Sequence, residues 1–300
     1  MPELPDLTVY CEALRARLHG ATLERARVLG VAFLRSVHPP LSAIEGARVV
    51  DVRRLAKRVV IEFEQELYLL IHLMIAGRFR WRARGAKPPG KLGLAVFDFS
   101  SGTLQVTEAG TKRRATLHLA QGRDSLTAHD PGGLEVLDCG VEDFRRVLLQ
   151  ENHTLKRALT DPHGFSGIGN AYSDEILHAA RLSPVKLTQR LTDAEIIRLY
   201  EATRITLSQW TDRLRHEAAG SFPEKVTAFR PGMAVHGRYR EPCPDCGAPV
   251  QRIVHAENET NYCARCQTGG KMLADRALSK LLKADWPRTL DEWEERSGRG

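Results

Sequence analysis

Hydrophobic and polar residues follow two different patterns along this chain, and the pattern changes near residue 130. Residues 21–117 contain short runs rich in β-branched and aromatic residues, separated by turns that contain glycine and proline. Such runs predict antiparallel strands in a β-sandwich or barrel-like arrangement. An amphipathic pattern over residues 8–18 predicts one helix before them. After a break at 130–133, the spacing of apolar residues predicts helices over residues 141–151, 153–160, 171–180 and 193–217.

The predicted fold class is therefore α+β, and the chain divides into five segments. A β-sandwich-like domain is expected at 1–130 and a helical domain at 131–220. Residues 221–242 are rich in glycine and proline and predict an extended linker, which precedes a cysteine-containing module at 243–270. The C-terminal extension, 271–300, is expected to begin with a helix near 271–283 and to end in a polar tail. That helix would pack on the body of the protein through Leu273, Leu278, Leu281 and Leu282.

Length and composition narrow the class of protein. A chain of 300 residues suggests two domains, and 42% hydrophobic residues are enough to form buried cores. The formal net charge of +7 favours a polyanionic partner, and DNA, RNA and ribosomal partners all fit it. The sequence has no run of 18 apolar residues and no secretory signal pattern at its start. A cytoplasmic location is expected, with nucleoid association if the source is bacterial.

The six cysteines are better explained by metal binding or core packing than by disulfides in such a compartment. Four of them form a C-x2-C-x16-C-x2-C pattern, namely Cys243, Cys246, Cys263 and Cys266. This spacing predicts a tetrahedral zinc site on two knuckles of a zinc ribbon. Four thiolates leave no coordination position for a substrate, so one structural Zn²⁺ per chain is expected. The remaining cysteines, Cys11 and Cys139, are expected to pack in cores.

A glycine-rich stretch follows the first helices of the predicted helical domain. Residues 165–177 read FSGIGNAYSDEIL, which predicts a turn followed by a helix that starts near Asn170. Gly167 and Gly169 allow the backbone to approach a ligand closely, and a helix N-terminus favours an anion such as a DNA phosphate. An ordinary helical hairpin with a glycine turn is the alternative interpretation.

Basic residues form three clusters in the N-terminal half of the chain. They lie at 53–58, at alternating positions in 78–82, and at 112–114. Alternation in a strand places Arg78, Arg80 and Arg82 on one face. Each cluster alone is typical of a solvated surface, but together they indicate a surface that could bind a nucleic-acid duplex.

The first five residues, Met1 to Pro5, spell MPELP. Removal of Met1 would leave Pro2 with a secondary α-amine, whose pKa of about 7.7–8.0 leaves part of it nucleophilic at pH 7. Attack on an aldehyde or acetal-like carbon gives an iminium, and Glu3 is close enough in sequence to transfer protons. The alternative is that these residues are a frayed terminus.

The chain resembles the formamidopyrimidine-DNA glycosylase / endonuclease VIII family in four motifs and in their order. These are the PELP start, a lysine after a basic turn (Lys57), the G-I-G-N-x-Y-x-x-E-I-L stretch and the four-cysteine module. The resemblance covers almost the whole chain. It implies a two-domain enzyme that binds DNA between its domains and contains a helix–two-turn–helix motif. Pro2 then resembles the nucleophile, Glu3 the proton-transfer residue and Lys57 the lysine that grips the phosphate beside the lesion. Asn170 resembles the phosphate ligand of the helical motif, with Lys156 a second candidate nearby.

Three features depart from the family pattern. The finger tip has Asn258 where the family usually carries an arginine that reaches into the DNA. The purine-specific branch fills the void left by the flipped base with a methionine, and with an arginine and a phenylalanine from one loop. Here Met74 lies one place early, and the loop at 108–116 has no phenylalanine. Arg113 and Arg114 of that loop are the candidates to supply the missing cation or void-filling side chain. The chain also continues 34 residues past Cys266, where the family usually ends within a few.

The resulting hypothesis is a bifunctional DNA glycosylase and apurinic/apyrimidinic lyase of base excision repair. It would act as a monomer on duplex DNA that carries damaged bases or abasic sites. Within the enzyme class, the alternative is a preference for oxidised pyrimidines over oxidised purines, as in endonuclease VIII. From other classes, a non-catalytic zinc-ribbon protein that binds damaged DNA and an RNA-associated zinc-ribbon protein remain alternatives.

Overall fold

The computed structural model describes residues 1–300 except 111, 228, 256–257, 276–278, 280, 284–285 and 298–300. It divides into two compact units. The first contains residues 1–132 and 209–228, and the second contains residues 133–208 and 229–300. Among the described residues, no helix combines the length and apolar character needed to cross a membrane.

The first unit is built from one helix and two four-stranded antiparallel sheets. Helix α1 spans Leu4–Leu18. The strands are β1 (Leu23–Val28), β2 (Val49–Leu55), β3 (Arg58–Phe63), β4 (Leu67–His72), β5 (Gly77–Arg82), β6 (Gly93–Phe99), β7 (Gly102–Glu108) and β8 (Thr116–Gln121). The strand orders are β1-β6-β7-β5 and β2-β3-β4-β8. The predicted β-rich region is confirmed.

Alternation along the strands supplies the core of this unit. Ile61 of β3, Leu69 of β4 and Phe97 of β6 are fully buried in one cluster, to which α1 contributes Leu14. On the other face of the β2-β3-β4-β8 sheet, a smaller cluster contains Val60, Tyr68, Leu70, Ala120 and Leu126. Leu126 belongs to a 3₁₀ helix, Arg123–His129, so residues after β8 cover part of this face.

The described part of the second unit contains four helices before the cysteine module. The helices are α2 (Val141–Leu149), α3 (Leu155–Thr160), α4 (Asn170–Ala179) and α5 (Asp193–Ala218), whose last turns, from residue 209, belong to the first unit. A hairpin of β9 (Val250–His255) and β10 (Asn258–Cys263) leads into α6 (Ala264–Thr268). The predicted helices of this region are confirmed, with small differences at their ends.

The region predicted as a linker, 221–242, is divided between the units. Its first part packs on the first unit, where the ring of Phe222 lies 5.8 Å from that of Tyr10. Glu224 forms ion pairs with both Arg80 and Arg82 of β5. These contacts reduce the charge of the predicted basic face, because the single negative charge of Glu224 is shared by two of its three arginines.

The C-terminal extension packs on the ribbon through one of the predicted leucines, Leu273, and through residues that were not predicted. Leu281 is 76% exposed and Leu282 is 39% exposed, and Leu278 lies outside the described residues. Contact is made instead by buried Met272 and Leu290, with Leu273 and Trp293 partly buried against the same cluster. The expected polar tail includes a helix, α7 (Leu290–Ser297), because Leu290 and Trp293, three residues apart, share one helical face.

Candidate functional site

The PELP segment is a folded helix start rather than a frayed end. Glu3 is the N-cap of α1 and is only 3% exposed, and Pro2 is also buried. The backbone N–H of Glu3 donates to the Asp6 carboxylate at 3.0 Å, and the Glu3 side chain accepts from the N–H of Asp6. This reciprocal capping box, with Pro5 in the first turn, fixes the path of the chain. The side chain of Glu3, the residue that follows Pro2, is thereby held at the first turn of α1.

Lys57 belongs to the same neighbourhood. It lies in the tight turn between β2 and β3, where Ala56 has a φ of +50°. Burial lowers the pKa of the Lys57 ammonium, and the negative charge of Glu3 acts in the opposite direction. The two side chains are therefore close enough to interact electrostatically, although they are 54 positions apart in sequence.

The pKa of the terminal amine of the chain is shifted by the same groups. Burial lowers its pKa, Glu3 and Asp6 raise it, and the charges of Arg78 and Lys57 lower it further. Arg78 is the second residue of β5, so α1, the β2–β3 turn and β5 all contribute to this cluster. An amine with a lowered pKa is more often unprotonated near neutral pH, which is the state that a nucleophile needs.

The β4–β5 turn carries the predicted void-filling residue. Met74 adopts a left-handed φ of +51° and is half-buried, whereas its neighbour Ile75 is 54% exposed. The guanidinium of Arg78 donates to the carbonyls of Ile75 and Gly77, at 3.1 and 2.6 Å. The turn thus presents Ile75 more fully than Met74, because Met74 occupies the strained position where the chain reverses.

The loop after β7 is held in place by Glu108. This buried carboxylate accepts the backbone N–H groups of Arg114, at 3.0 and 3.1 Å, and of Ala115, at 3.2 Å. Arg113 and Arg114 are exposed, and the guanidinium of Arg113 donates to the carbonyl of Lys91. Both arginines therefore lie at the surface on a loop that Glu108 closes.

A group of histidines beside Lys57 was not predicted from the sequence. His72 ends β4, and burial together with the charges of Arg58 and Lys57 lowers its pKa to about 4. The rings of His118 and His129 lie 4.7 Å apart, and Arg58 donates to the carbonyl of His129 at 2.8 Å. The strand alternation places His72 and His118 on the same outer face as Leu70, which is a signal that the sequence contained.

In the second unit, Asn170 is the first residue of α4, after a turn in which Gly167 has a φ of +79°. Its side-chain amide donates to the carbonyl of Glu259 on β10 at 2.9 Å. Lys156, the second predicted phosphate ligand, makes contacts within the protein. Its ammonium forms an ion pair with the fully buried carboxylate of Asp174 and donates to the carbonyl of Asn170 at 2.6 Å.

The two acidic residues of α4 organise the residues around the ribbon. The Glu175 carboxylate accepts the backbone N–H groups of Ala234, Val235 and His236, at 2.6, 2.9 and 2.9 Å. Asp174 accepts from the ring of His236 at 2.8 Å and from the N–H of Asn261 at 3.1 Å. These buried bonds give a structural role to the acidic pair Asp174 and Glu175 that follows the GIGN stretch, a pair to which the sequence analysis assigned no role.

The four predicted metal ligands lie together. The sulfur atoms of Cys243 and Cys266 are 3.9 Å apart, those of Cys246 and Cys263 are 3.4 Å apart, and all four lie within 4.8 Å of one another. Zn–S bonds of about 2.3 Å in a tetrahedron require sulfur separations of about 3.8 Å. The cluster therefore fits a tetrathiolate zinc ion.

The finger tip offers a cation that the sequence analysis overlooked. Asn258 is exposed at the start of β10. On β9, Arg252 pairs in register with Asn261, forms an ion pair with Glu259 at 3.2 Å and lies 4.3 Å from the centre of the Tyr239 ring. The pairing of the hairpin strands, which the sequence does not show, brings Arg252 beside Glu259, whose carbonyl accepts the hydrogen bond from Asn170.

Comparison with known protein families agrees with this architecture. Residues 1–125 match the formamidopyrimidine-DNA glycosylase N-terminal domain, and residues 133–213 match the H2TH domain of the same glycosylase. Residues 240–269 match the zinc finger found in FPG and IleRS.

Several relatives are similar over most of their length. The formamidopyrimidine-DNA glycosylase of Heliobacterium modesticaldum is 31% identical over 283 residues, which cover 89% of this chain and 100% of that protein. The corresponding Thermus thermophilus protein is 31% identical over 279 residues, with coverage of 90% and 100%. An uncharacterized formamidopyrimidine-DNA glycosylase-like protein of Mycobacterium tuberculosis is 40% identical over 151 residues, or 50% of this chain and 94% of that protein.

Among solved structures, Lactococcus lactis FPG (MutM) in complex with a Fapy-dG-containing DNA has a TM-score of 0.78 and 23% identity. It covers 89% of this chain and 100% of that one. A complex of the Lactococcus lactis protein with abasic-site-containing DNA gives the same TM-score, with coverage of 89% and 99%. These likenesses establish the fold. Together with the family matches and the relatives, they show that the chain belongs to the formamidopyrimidine-DNA glycosylase family.

Proposed function

We propose that this protein is a DNA glycosylase of base excision repair that also cleaves abasic sites, with Pro2 as its nucleophile. The observation that carries the proposal is the folded N-terminus, in which Pro2 is buried beside the N-cap Glu3. Pro2 exposes a reactive amine only after Met1 is removed. That amine would then share the surroundings that lower the pKa of the terminal amine, namely burial and the charges of Arg78 and Lys57.

The reaction follows from the chemistry of a secondary amine. The damaged base first leaves the stack, which costs a few kcal/mol and is easier where damage weakens pairing. The nitrogen lone pair of Pro2 forms a bond to C1′ of the sugar. The bond from C1′ to the base breaks at the same time, and the base leaves with the electron pair of that broken bond. The Pro2 nitrogen then loses its proton, and its lone pair forms the C=N bond of an iminium as the bond from C1′ to the ring oxygen breaks. Glu3 supplies the proton that this oxygen takes up.

The iminium makes the second step possible. It acidifies the C2′ proton, and transfer of that proton to a base gives an enamine. The enamine electrons then form a double bond between C2′ and C3′ as the C3′–O bond breaks and the 3′ phosphate leaves. Lys57 would hold a phosphate beside the sugar, and the influence of the Glu3 charge on the pKa of its ammonium supports this role. One covalent intermediate thus serves both glycosylase and lyase steps. Hydrolysis then releases Pro2 from the cleaved product.

The remaining proposals concern the DNA and the metal. Duplex DNA with damaged bases or abasic sites is the proposed substrate, bound by a monomer through Asn170 and surface arginines.

Zn²⁺ is proposed as a structural ion held by the four cysteines, because a closed tetrathiolate site has no position for substrate. Metal analysis should find one zinc per chain. Cys263→Ser should unfold the ribbon, since structural zinc contributes folding free energy on the order of 10 kcal/mol.

We propose that the preferred lesion is an oxidised base, either a purine or a pyrimidine. The β4–β5 turn presents an aliphatic Ile75, and the loop closed by Glu108 presents arginines. This combination departs from the purine-specific pattern described above and favours a test of oxidised pyrimidines alongside oxidised purines. Duplexes that carry each lesion, read by strand cleavage, distinguish the two preferences.

The decisive experiment is trapping of the intermediate. Mass spectrometry should first show that Met1 has been removed. Borohydride added during reaction with abasic-site DNA should then reduce the iminium and leave a covalent adduct on Pro2. Variants that retain Met1 should give no adduct. If the processed protein binds lesion DNA but forms no adduct, the protein is a damage-binding protein and the lyase proposal is wrong.

A further inference from the structure

A buried histidine lies against the metal site. His178, in the last turn of α4, is 4% exposed, and its Nε2 atom is 3.3 Å from the sulfur of Cys243. The same nitrogen is 3.9 Å from the carboxylate of Asp245, which lies inside the first C-x2-C knuckle. The ligand atoms of His178, Asp245 and Cys266 also lie within 4.8 Å of one another. His178 is therefore next to two of the four zinc ligands.

The chemistry of the ligand decides which group donates. A zinc-bound cysteine is a thiolate, which has lone pairs and no proton. A hydrogen bond at 3.3 Å between the two groups therefore requires the proton on Nε2 of His178. Four thiolates around one Zn²⁺ carry a net charge of about −2. A buried N–H donor directed at one of them stabilises that charge where water has little access.

We propose that His178 is a positioning residue for the zinc ribbon, which donates its Nε2–H to the Cys243 thiolate and strengthens zinc retention. Bonds of this kind orient metal ligands, and their loss typically costs 10–100-fold in metal affinity. The proposal rests on the site binding zinc, which metal analysis tests independently.

The bond also gives α4 a third tie to the ribbon. Asn170 in its first turn contacts the carbonyl of Glu259, and Asp174 in its middle accepts the N–H of Asn261. His178 adds a contact to a metal ligand at its end. Because the three residues are four positions apart, they share one face of the helix. Zinc retention and the placement of the candidate phosphate-binding helix are thereby linked.

The test uses the full-length, zinc-loaded protein and a pair of variants. His178→Phe keeps a flat ring but has no donor, whereas His178→Gln can place an amide N–H near the position of Nε2. In competition with a metal chelator, His178→Phe should release zinc at roughly tenfold lower chelator concentration than the parent. His178→Gln should stay close to the parent. His216→Phe, at an exposed histidine of α5, is the matched control and should behave like the parent.

Nuclear magnetic resonance of ¹⁵N-histidine-labelled protein provides the second readout. With zinc bound, His178 should show a proton on Nε2 that exchanges slowly with solvent. Equal zinc loss in His178→Phe and His178→Gln would mean that ring packing, not the donor, holds the site, and would overturn the proposal. Parent-like retention in His178→Phe, or an unprotonated Nε2 in the zinc-loaded protein, would overturn it as well.

Discussion

The side-chain amide of Asn170 donates a hydrogen bond to the backbone carbonyl of Glu259, 2.9 Å away. This bond joins the first turn of α4 to the hairpin that carries the zinc knuckle. Beside it, Lys156 is committed to Asp174, whose carboxylate is fully buried. The candidate phosphate-binding turn is therefore built on a buried polar network. Its two predicted phosphate ligands, Asn170 and Lys156, have different partners in that network.

The first prediction separates structure from DNA binding at Lys156. Lys156→Met leaves the buried Asp174 carboxylate without its cation, and breaking such a pair costs about 3–5 kcal/mol. We expect a lower midpoint of urea unfolding, partly restored when Asp174→Asn is added. A Lys156→Met protein with parental stability, but with a salt dependence of DNA binding reduced by about one unit, would instead make Lys156 a phosphate ligand.

The second prediction concerns Glu3. Glu3→Gln keeps a side chain of the same shape at the N-cap but removes the group proposed to transfer protons. We expect base excision to fall by a factor on the order of 10²–10⁴. Cleavage of a preformed abasic site should fall less, because the base has already left. Measurement of both rates under single-turnover conditions, with circular dichroism as the folding control, tests this. Equal loss of both activities would contradict the proposed division of roles.

The third prediction is a dependence of stability on pH that arises from His72. Burial beside Arg58 and Lys57 lowers its pKa in the folded protein to about 4, against about 6.5 in an unfolded chain. The unfolded state therefore takes up a proton first as the pH falls. The contribution of His72 to stability is complete above pH 6.5 and is lost between about pH 6.5 and 4, at up to about 1.4 kcal/mol per pH unit.

His72→Gln removes this titration. The drop in urea midpoint between pH 7 and pH 4.5 should then be smaller than in the parent. His216→Gln, at an exposed histidine, should keep the full drop. If His72→Gln and His216→Gln lose stability in parallel with the parent, the acid sensitivity comes from other groups and the environment of His72 has been misjudged.

The fourth prediction concerns the β4–β5 turn. If Ile75 fills the space that a flipped base leaves, Ile75→Ala removes apolar contact worth about 1.5 kcal/mol, or roughly tenfold in lesion binding or excision. Met74→Gly should leave excision unchanged and stabilise the fold by about 1 kcal/mol, because glycine accepts the left-handed φ of +51° without strain. Loss of excision in Met74→Gly with parental excision in Ile75→Ala would restore Met74 as the void-filling residue.

These cases show which features a sequence reveals. The strands and most helices follow from local periodicity, and the structure confirms them. The spacing of the cysteines predicts that four thiols lie together, which the structure also shows. The partners of Lys156, Arg80 and Arg82 could not be predicted, because Asp174 and Glu224 are distant in sequence and meet them only through tertiary packing. The contact of His178 with Cys243 is hidden for the same reason, since cysteine spacing says nothing about the helix that packs on the knuckle.

The last prediction concerns the cation that replaces the finger-tip arginine. Hydrogen bonds to charged groups contribute about 1.5–3 kcal/mol, so the loss of one phosphate contact at Asn258 requires compensation. The structure offers two sources: Arg113 and Arg114 on the loop closed by Glu108, and Arg252 on the finger itself. We expect Ala at Arg113 or Arg114 to weaken binding to lesion duplex by roughly tenfold, which is about 1.4 kcal/mol.

The salt dependence of binding distinguishes a phosphate contact from insertion into the base stack. A phosphate contact lowers the slope by about one unit when it is removed, whereas an inserted side chain leaves the slope unchanged. Arg252→Ala should lower the slope, because Tyr239 and Glu259 hold the guanidinium at the surface beside the Asn170 contact. Arg84→Ala, at an exposed arginine paired with Glu24, is the matched control. If the loop and Arg252 variants all bind like the parent while Asn258→Ala is impaired, the finger tip itself grips the phosphate and no replacement cation is needed.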